Sequence, residues 1–482
     1  MDNPTAAPAV REKQILVIGG GLAGMAAAAA LHGAGAAVTL LEARRELGGR
    51  AGSFEDAATG QLLDNCQHVL LGCCTNLLDL YRRLGVAEKV HFHHRIHFLD
   101  EGGHHYALFR VPGLPAPLHL APALASFGVL SVAERWAISR AMAAMLRLGR
   151  AGRAALDNVP FGRWLRDHGQ TERIIRRFYD PILVGALNEQ TSRASAKYAL
   201  QVFQDGLLSH RGSYALGLPA CPLEELYANR PCPTVRLNTR VARLCFQSRR
   251  IVGVALRDGE ILPANAVILA VNYPTVLKWI PEELRRADFR FHRLLELRGS
   301  PIVGAHLWFD RPVLPYSHAA LLAGPLQWLF RKDRRGVVVH GVISAARDWL
   351  EVPEGVLIGQ IKTQLAQLFP KVSATLLRHR IIIEKRATFS PLPGADVFRP
   401  LQTPPPEGIE NLFLAGDYTK TDWPATMEGA VRSGYLAAEG LWRNLAGAAP
   451  APRFLAPDLP LEFPARLLAQ GRNYDTFTAQ PH

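Results

Sequence analysis

"ILVIGGGLAGMAAAAALHGAGAAVTLLE", residues 15–42, decides the fold. The run ILVI (15–18) is apolar and partly β-branched, the pattern of a strand buried on both faces. Gly19, Gly21 and Gly24 follow as G-x-G-x-x-G, with Leu22 and Ala23 between the last two. An alanine-rich helix then runs to His32, GAG breaks it, and VTLL (38–41) is a second strand ending at Glu42. In such a βαβ unit the first glycine makes the tight turn. The second lets a pyrophosphate approach the backbone, and the third lets helix and strand pack closely. The helix start offers free N–H groups to phosphates. Glu42 stands about 20 residues on, where a carboxylate accepts hydrogen bonds from ribose hydroxyls. Residues 15–41 carry no charge and superficially suit a membrane span. The punctuation, with His32 and Thr39, fits strand–turn–helix–strand better.

A chain of 482 residues is too long for one core, so two or more domains are expected. Lys+Arg 55 against Asp+Glu 42 gives +13, which favours anionic partners. No basic tract carries interleaved aromatics, so a membrane surface fits this charge and nucleic acid does not. Six cysteines in this length make no disulfide framework, and "MDNPTAAPAVREK" lacks the apolar core of a signal peptide. A cytoplasmic protein is expected.

Residues 76–230 read as mostly helical. Ser131 to Leu156 has apolar residues on one side and Arg135, Arg140, Arg147, Arg150 and Arg153 on the other. The apolar, proline-bearing stretch 111–130 precedes it. Together they suit peripheral docking on the inner face of a bacterial cell membrane, or a buried helix layer with a solvated basic face. Residues 234–272 alternate like strands with a DG turn. Further strands are expected at 301–309, 336–343 and 380–385, and a helix at 424–445. The tail "AGAAPAPRFLAPDLP" (446–460) reads as a surface segment.

"ARRELGGRAGS" (43–53) resembles the R-x-x-x-GGR-x-x-S/T turn of the flavoprotein amine-oxidase superfamily. "NLFLAGDYTKTDWPATMEGAVRSG" (411–434) resembles its C-terminal FAD motif, and "NTRVARL" (238–244) its adenine-holding strand. The resemblance implies non-covalent FAD. Ala43, Arg44, Gly49 and Arg50 would lie by the phosphates and flavin, Val241 by adenine, and Gly416 and Asp417 by ribitol or pyrophosphate. Thr426 and Met427 would open a helix whose amides face the flavin. Asn265 stands where the family more often has Asp. The implied fold is α/β: a Rossmann-like FAD-binding domain with an inserted α+β substrate-binding domain. The first would comprise 12–75, 210–275 and 390–446, the second 76–209 and 276–389, with 1–11 and 447–482 as terminal extensions.

"DNCQHVLLGCC" (64–74) follows the GGR turn where the family has D-x-G-x-x beside the flavin. Together with "FYDPILVGALNEQTSRASAKYALQVFQDGLL" (178–208), "GLPACPLEELYA" (217–228) and "PATMEGAVRSG" (424–434), it is similar to the hydroxysqualene dehydroxylase branch. Cys66 occupies the usual glycine. That resemblance implies an FAD-dependent oxidoreductase reducing hydroxysqualene to squalene in hopanoid biosynthesis. The leaving hydroxyl needs a general acid. His68 and Asp64 are the candidates, for the acid or for orienting it. His68 also reads as a hydrogen-bonded core histidine, and Glu428 as charge complementing a helix start. Desaturation of a carotenoid-like polyprenyl lipid stays open. So does amine oxidation, for which Trp423 and Tyr418 are the nearby aromatics. Cys66, His68, Cys73 and Cys74 could be drawn as metal ligands, but VLLG (69–72) between them reads as buried chain, so no metal is expected. No second G-x-G-x-x-G unit appears, so an electron donor outside the chain is implied.

Overall fold

The structure is a computed structural model that describes residues 8–447 and 452–469. Ile15–Ile18 lies at the centre of a five-stranded parallel sheet. Its order is Thr234–Arg236, Val38–Leu41, Ile15–Ile18, Ala266–Leu269, Leu412–Leu414. Every neighbouring pair is parallel, which explains why these strands read as unbroken apolar runs. The helix Leu22–Gly33 covers one face and is crossed by Met427–Ala446. Small residues allow that crossing: a Cβ at Gly434 would sit 2.1 Å from the Ala23 carbonyl oxygen. An antiparallel sheet of Val241–Gln247, Arg250–Leu256 and Ile261–Pro263 turns at Asp258-Gly259, where Gly259 takes φ +96.

A seven-stranded mixed sheet forms the second layer. Its order is Leu376–Phe389, Gly299–Phe309, Val338–Ile343, Trp328–Arg331, His318–Leu321, Arg95–Leu99, His105–Phe109. Helices between 121 and 208 pack on it around an aromatic core that includes Phe161, Tyr179 and Phe203. The short strand Leu62–Asp64, paired with Ser53–Glu55, leads from the glycine-rich turn to this sheet, where His306 of Gly299–Phe309 reaches its Asp64 carbonyl.

Two expectations are corrected. The helix Val132–Ala154, opened by a capping box of Ser131 and Glu134, does not expose all its arginines. Arg153 is buried on Asp205 (2.8 Å), and Arg150 pairs with Asp458 (2.9 Å) and Asp205 (3.5 Å). Gly149 breaks the helix with φ 65 and ψ −177, so the last turn rotates these side chains inward, onto carboxylates that neutralise them. The tail is not merely a surface segment. Phe454 is buried in the core behind the parallel sheet, its amide donating to Glu439 (2.6 Å). Leu461 and Ala465 pack into the helical core.

Candidate functional site

The glycine turn shows three different demands. Gly19 has φ +110, and a Cβ there would lie 2.5 Å from Ala270 O. A Cβ at Gly24 would lie 1.9 Å from Gly19 O, so helix and turn touch. At Gly21 a Cβ would meet nothing nearer than Gly49 Cα, at 4.0 Å. That opening faces the start of Leu22–Gly33, which no side chain caps. An open cradle over uncapped helix amides fits the pyrophosphate of a dinucleotide. Glu42 follows at the strand end and accepts from the Gly20 amide (2.6 Å) and the Arg44 amide (2.8 Å). The backbone of Glu42 and Arg44 accepts from the amides of Thr239 (2.8 Å) and Asn238 (2.9 Å), two and three residues before Val241.

Distant motifs meet here. Arg50 donates to the Asp417 carboxylate at 2.6 Å across 367 residues, and to Ala387 O at 2.7 Å. Gly416 has φ +152, and its amide donates to Ser433 Oγ (2.7 Å). The Tyr418 ring lies where a Gly416 Cβ would be. Thr426 caps Met427–Ala446 by accepting from the Gly429 amide (3.1 Å). Glu428 is buried and turned away: it accepts from the amides of Asn76 (3.2 Å) and Leu77 (2.8 Å) and from Arg432 (2.7 Å). It thus caps the helix Thr75–Arg83. Asn265 Oδ1 accepts from the Gln14 amide (2.8 Å), which ties the strand entry.

The stretch 64–68 lies along the GGR turn. The Asn65 amide donates to Gly52 O (3.0 Å), and its side chain to Arg50 O (3.2 Å). Cys66 does not need positive φ. From the other side, the seven-stranded sheet supplies two histidines. His306 Nε2 reaches the Asp64 carbonyl at 3.0 Å, and His340 Nδ1 lies 3.2 Å from His306 Nδ1. His340 Nε2 lies 3.8 Å from Cys66 Sγ. A carbonyl only accepts, so the chain has one direction: Cys66 S–H to His340, His340 N–H to His306, His306 N–H to Asp64 O. Burial keeps it uncharged: His306 falls to about 4, His340 lies well below the usual imidazole range, and the Cys66 thiol is pushed up to about 12.

Lys332 donates to Asp64 Oδ2 (2.8 Å) and Gln67 Oε1 (3.1 Å). Asp64 also accepts from Ser53 Oγ (2.9 Å) and the Leu223 amide (2.9 Å). Burial works against its charge, yet the Lys332 ammonium and these donors hold the carboxyl below its ordinary range. Asp64 therefore has no proton to give near neutral pH. Held this way, Asp64 is placed to orient its neighbours through Lys332, Ser53 and the Leu223 amide. His68 Nδ1 lies 2.9 Å from Cys66 O and must donate to it, which leaves Nε2 as an acceptor. Burial holds its pKa below the usual value. Cys66 and Val69 of the same segment belong to an apolar wall with Phe330 and Val342, on which Leu218, Ile302 and Trp328 also pack.

Three side chains of this site escaped the sequence reading: Lys332, His306 and His340. A signal existed for the two histidines, since each interrupts an otherwise apolar strand, in "PIVGAHLWF" and "VVVHGVI". Tyr418 packs edge-on against Tyr273 (5.8 Å), and Trp423 lies under the Arg432 guanidinium (4.6 Å). Both rings are thus committed to interior packing. Among the described residues no group of three His, Cys, Asp or Glu side chains converges as a metal site.

The family model for flavin containing amine oxidoreductases matches residues 22–441. The chain belongs to that family. Among curated proteins it is 27% identical over 462 residues to a 15-cis-phytoene desaturase of an Oncidium hybrid cultivar, covering 89% of this chain and 77% of that one. It is 26% identical over 488 residues to the zeta-carotene desaturase of Synechocystis sp., covering 90% and 98%. Among solved structures, putrescine oxidase with bound putrescine has TM-score 0.65 at 17% identity, covering 88% and 98%. Cyclohexylamine oxidase from Brevibacterium oxydans has TM-score 0.61 at 18% identity, covering 90% and 99%. The fold is therefore the α/β fold of these flavoproteins, and the chain is an FAD-dependent oxidoreductase.

Proposed function

We propose that this oxidoreductase transfers hydride to or from a long polyprenyl lipid. The observation that carries this reading is a His68 ring hydrogen-bonded to Cys66 O, on a segment whose Cys66 and Val69 form an apolar wall next to the GGR turn. An apolar wall suits a hydrocarbon chain and keeps water from the reacting carbon. FAD, when bound, supplies the hydride acceptor or donor. Gly21, Glu42, Arg50, Val241, Asp417 and the start of Met427–Ala446 are the groups that would hold it.

Two directions of hydride flow are distinguished by the proton. In a desaturation the substrate loses hydride and a proton, and His68 Nε2 is free to accept that proton. The desaturases among the curated relatives support this direction. In the dehydroxylation of hydroxysqualene a proton must reach the leaving hydroxyl. The signature stretches 64–74, 178–208, 217–228 and 424–434 support that reading, and the Lys332 ammonium donates to Gln67, the residue before His68. Amine oxidation is the weaker reading, because Tyr418 and Trp423 are packed away.

The deciding experiment is anaerobic product analysis with purified holoenzyme. Reduced enzyme with hydroxysqualene yields squalene if the reaction is dehydroxylation. Oxidised enzyme with phytoene yields a new double bond if it is desaturation. Turnover of neither, with turnover of amines, overturns the lipid reading.

A lipid substrate also calls for contact with a membrane. No helix among the described residues is long and apolar enough to cross one. Val132, Trp136, Arg140 and Arg147 form an exposed stripe on one helix, with Trp136 67% exposed. A tryptophan beside arginines suits the headgroup region of an anionic leaflet, so peripheral docking through this stripe is the proposed localisation.

A further inference from the structure

Lys332 follows the strand Trp328–Arg331 of the seven-stranded sheet, whereas both its acceptors belong to the segment along the GGR turn. Asp64 lies at the start of that segment, and Gln67 immediately precedes His68. The side chains are 23% and 5% exposed for Lys332 and Asp64, so little water screens the pair. The hydrogen-bond chain from Cys66 through His340 and His306 ends on a backbone carbonyl. It can fix geometry but cannot pass a proton on. Control of the charge at His68 therefore falls to the groups facing it.

We propose that Lys332 is a positioning residue of this site: by bridging Asp64 and Gln67 from the end of a strand of the seven-stranded sheet to the segment along the GGR turn, it holds His68 in place and keeps it a neutral proton acceptor. This rests on the reading that His68 faces the reacting centre.

The charged and titratable groups facing His68 are Asp64 and Cys66 on its own segment, Arg50 from the GGR turn, and Lys332 and His340 from the sheet. Cys66 keeps its proton and His340 stays neutral. Arg50 is already bound to Asp417. Burial lowers the His68 pKa most and the hydrogen bond to Cys66 O works against it; among the charged side chains, Asp64 favours the imidazolium, and Lys332 opposes it. Removing the ammonium leaves a buried carboxylate facing the imidazole. The imidazole's pKa then rises, and Nε2 loses its lone pair at a higher pH than before.

The test uses holoenzyme with Lys332→Met, Lys332→Arg and the pair Asp64→Asn/Lys332→Met. The His68 midpoint is read by NMR of isotope-labelled histidine, assigned by the signal lost in His68→Gln. The expected result is a midpoint about one pH unit higher in Lys332→Met, recovered in Lys332→Arg and in the double variant. The acidic limb of the kcat profile should move with it, with KM changing less. Should Lys332→Met not fold, Lys332→Gln removes the same charge while keeping a donor. An unmoved midpoint in a variant with wild-type flavin content overturns the proposal. A midpoint that moves while turnover of every polyprenyl substrate stays the same supports the role of Lys332 and overturns the catalytic reading of His68.

Discussion

The glycine turn and the seam around His68 are two halves of one proposed site, but they are built in opposite ways. The turn is local: Gly19, Gly21, Gly24 and Glu42 are contributed by one βαβ unit, and backbone conformation sets their roles. The seam is non-local: Asp64 meets Lys332, just past one strand, and His306, within another, both more than 200 residues away. A site written in backbone survives side-chain change where there is space and fails where there is none. A site written in side chains instead responds through charge.

The largest effect should separate two glycines of the same turn. Gly24→Ala puts a Cβ against the Gly19 carbonyl, so helix and turn must separate. The variant is expected to lose soluble, folded protein. Gly21→Val has open space and should fold, yet its side chain fills the cradle. Circular dichroism should match wild type while the flavin absorbance is gone. Full flavin content in Gly21→Val would sink the assignment of the cradle.

Across the seam the expected effect is on rate rather than on folding. His68→Ala should keep its flavin and lose roughly 10²-fold in turnover, the usual contribution of a positioned acid–base group. Near-normal turnover returns His68 to a hydrogen-bonded wall residue. Acid should also act through Asp64. Its carboxyl lies below the ordinary range when folded, so its contribution is present above the unfolded pKa and is lost as pH falls through the folded one. Asp64→Asn should flatten that acid loss in a denaturation series.

Between the two lies the Arg50–Asp417 contact, which joins the turn to the C-terminal motif. Asp417→Ala should weaken FAD binding about 30-fold, from the ~2 kcal/mol of a charge-assisted hydrogen bond, and leave turnover of loaded enzyme nearly unchanged. A fully loaded but inactive variant would give Asp417 a chemical role instead.

How much could be read without coordinates follows the same division. The parallel strands and the helix after the glycines were legible because period, glycine spacing and β-branching are local signals. Glu42 was legible because it ends the second strand about 20 residues after the glycine turn, and Asp417 because it follows a strand and Gly416. Lys332 sits in "FRKDRRG", a charge-rich turn that reads as solvated, and nothing nearby marks it as a partner of Asp64. The inward turn of Arg150 and Arg153 was hidden for a similar reason. Their helical spacing continues the basic face, and only the break at Gly149 and the distant Asp205 and Asp458 redirect them. The docked tail depends likewise on Glu439, which accepts from the Phe454 amide.

That inward turn sharpens the smallest prediction, membrane docking. Arg140 and Arg147 remain on the exposed stripe with Val132 and Trp136, whereas Arg150 is held by carboxylates. Each exposed cation near an anionic leaflet contributes up to ~1 kcal/mol, less as salt rises. Arg140→Gln with Arg147→Gln should therefore reduce co-sedimentation with acidic vesicles several-fold at low salt and leave thermal stability unchanged. Arg150→Gln should do the reverse, because it strips a partner from Asp205 and Asp458 without altering the stripe. Trp136→Ala should weaken vesicle binding in a salt-independent way, since its share is apolar burial. Equal vesicle binding by all three variants would mean that this helix is not the docking surface, and the lipid would have to enter from another face.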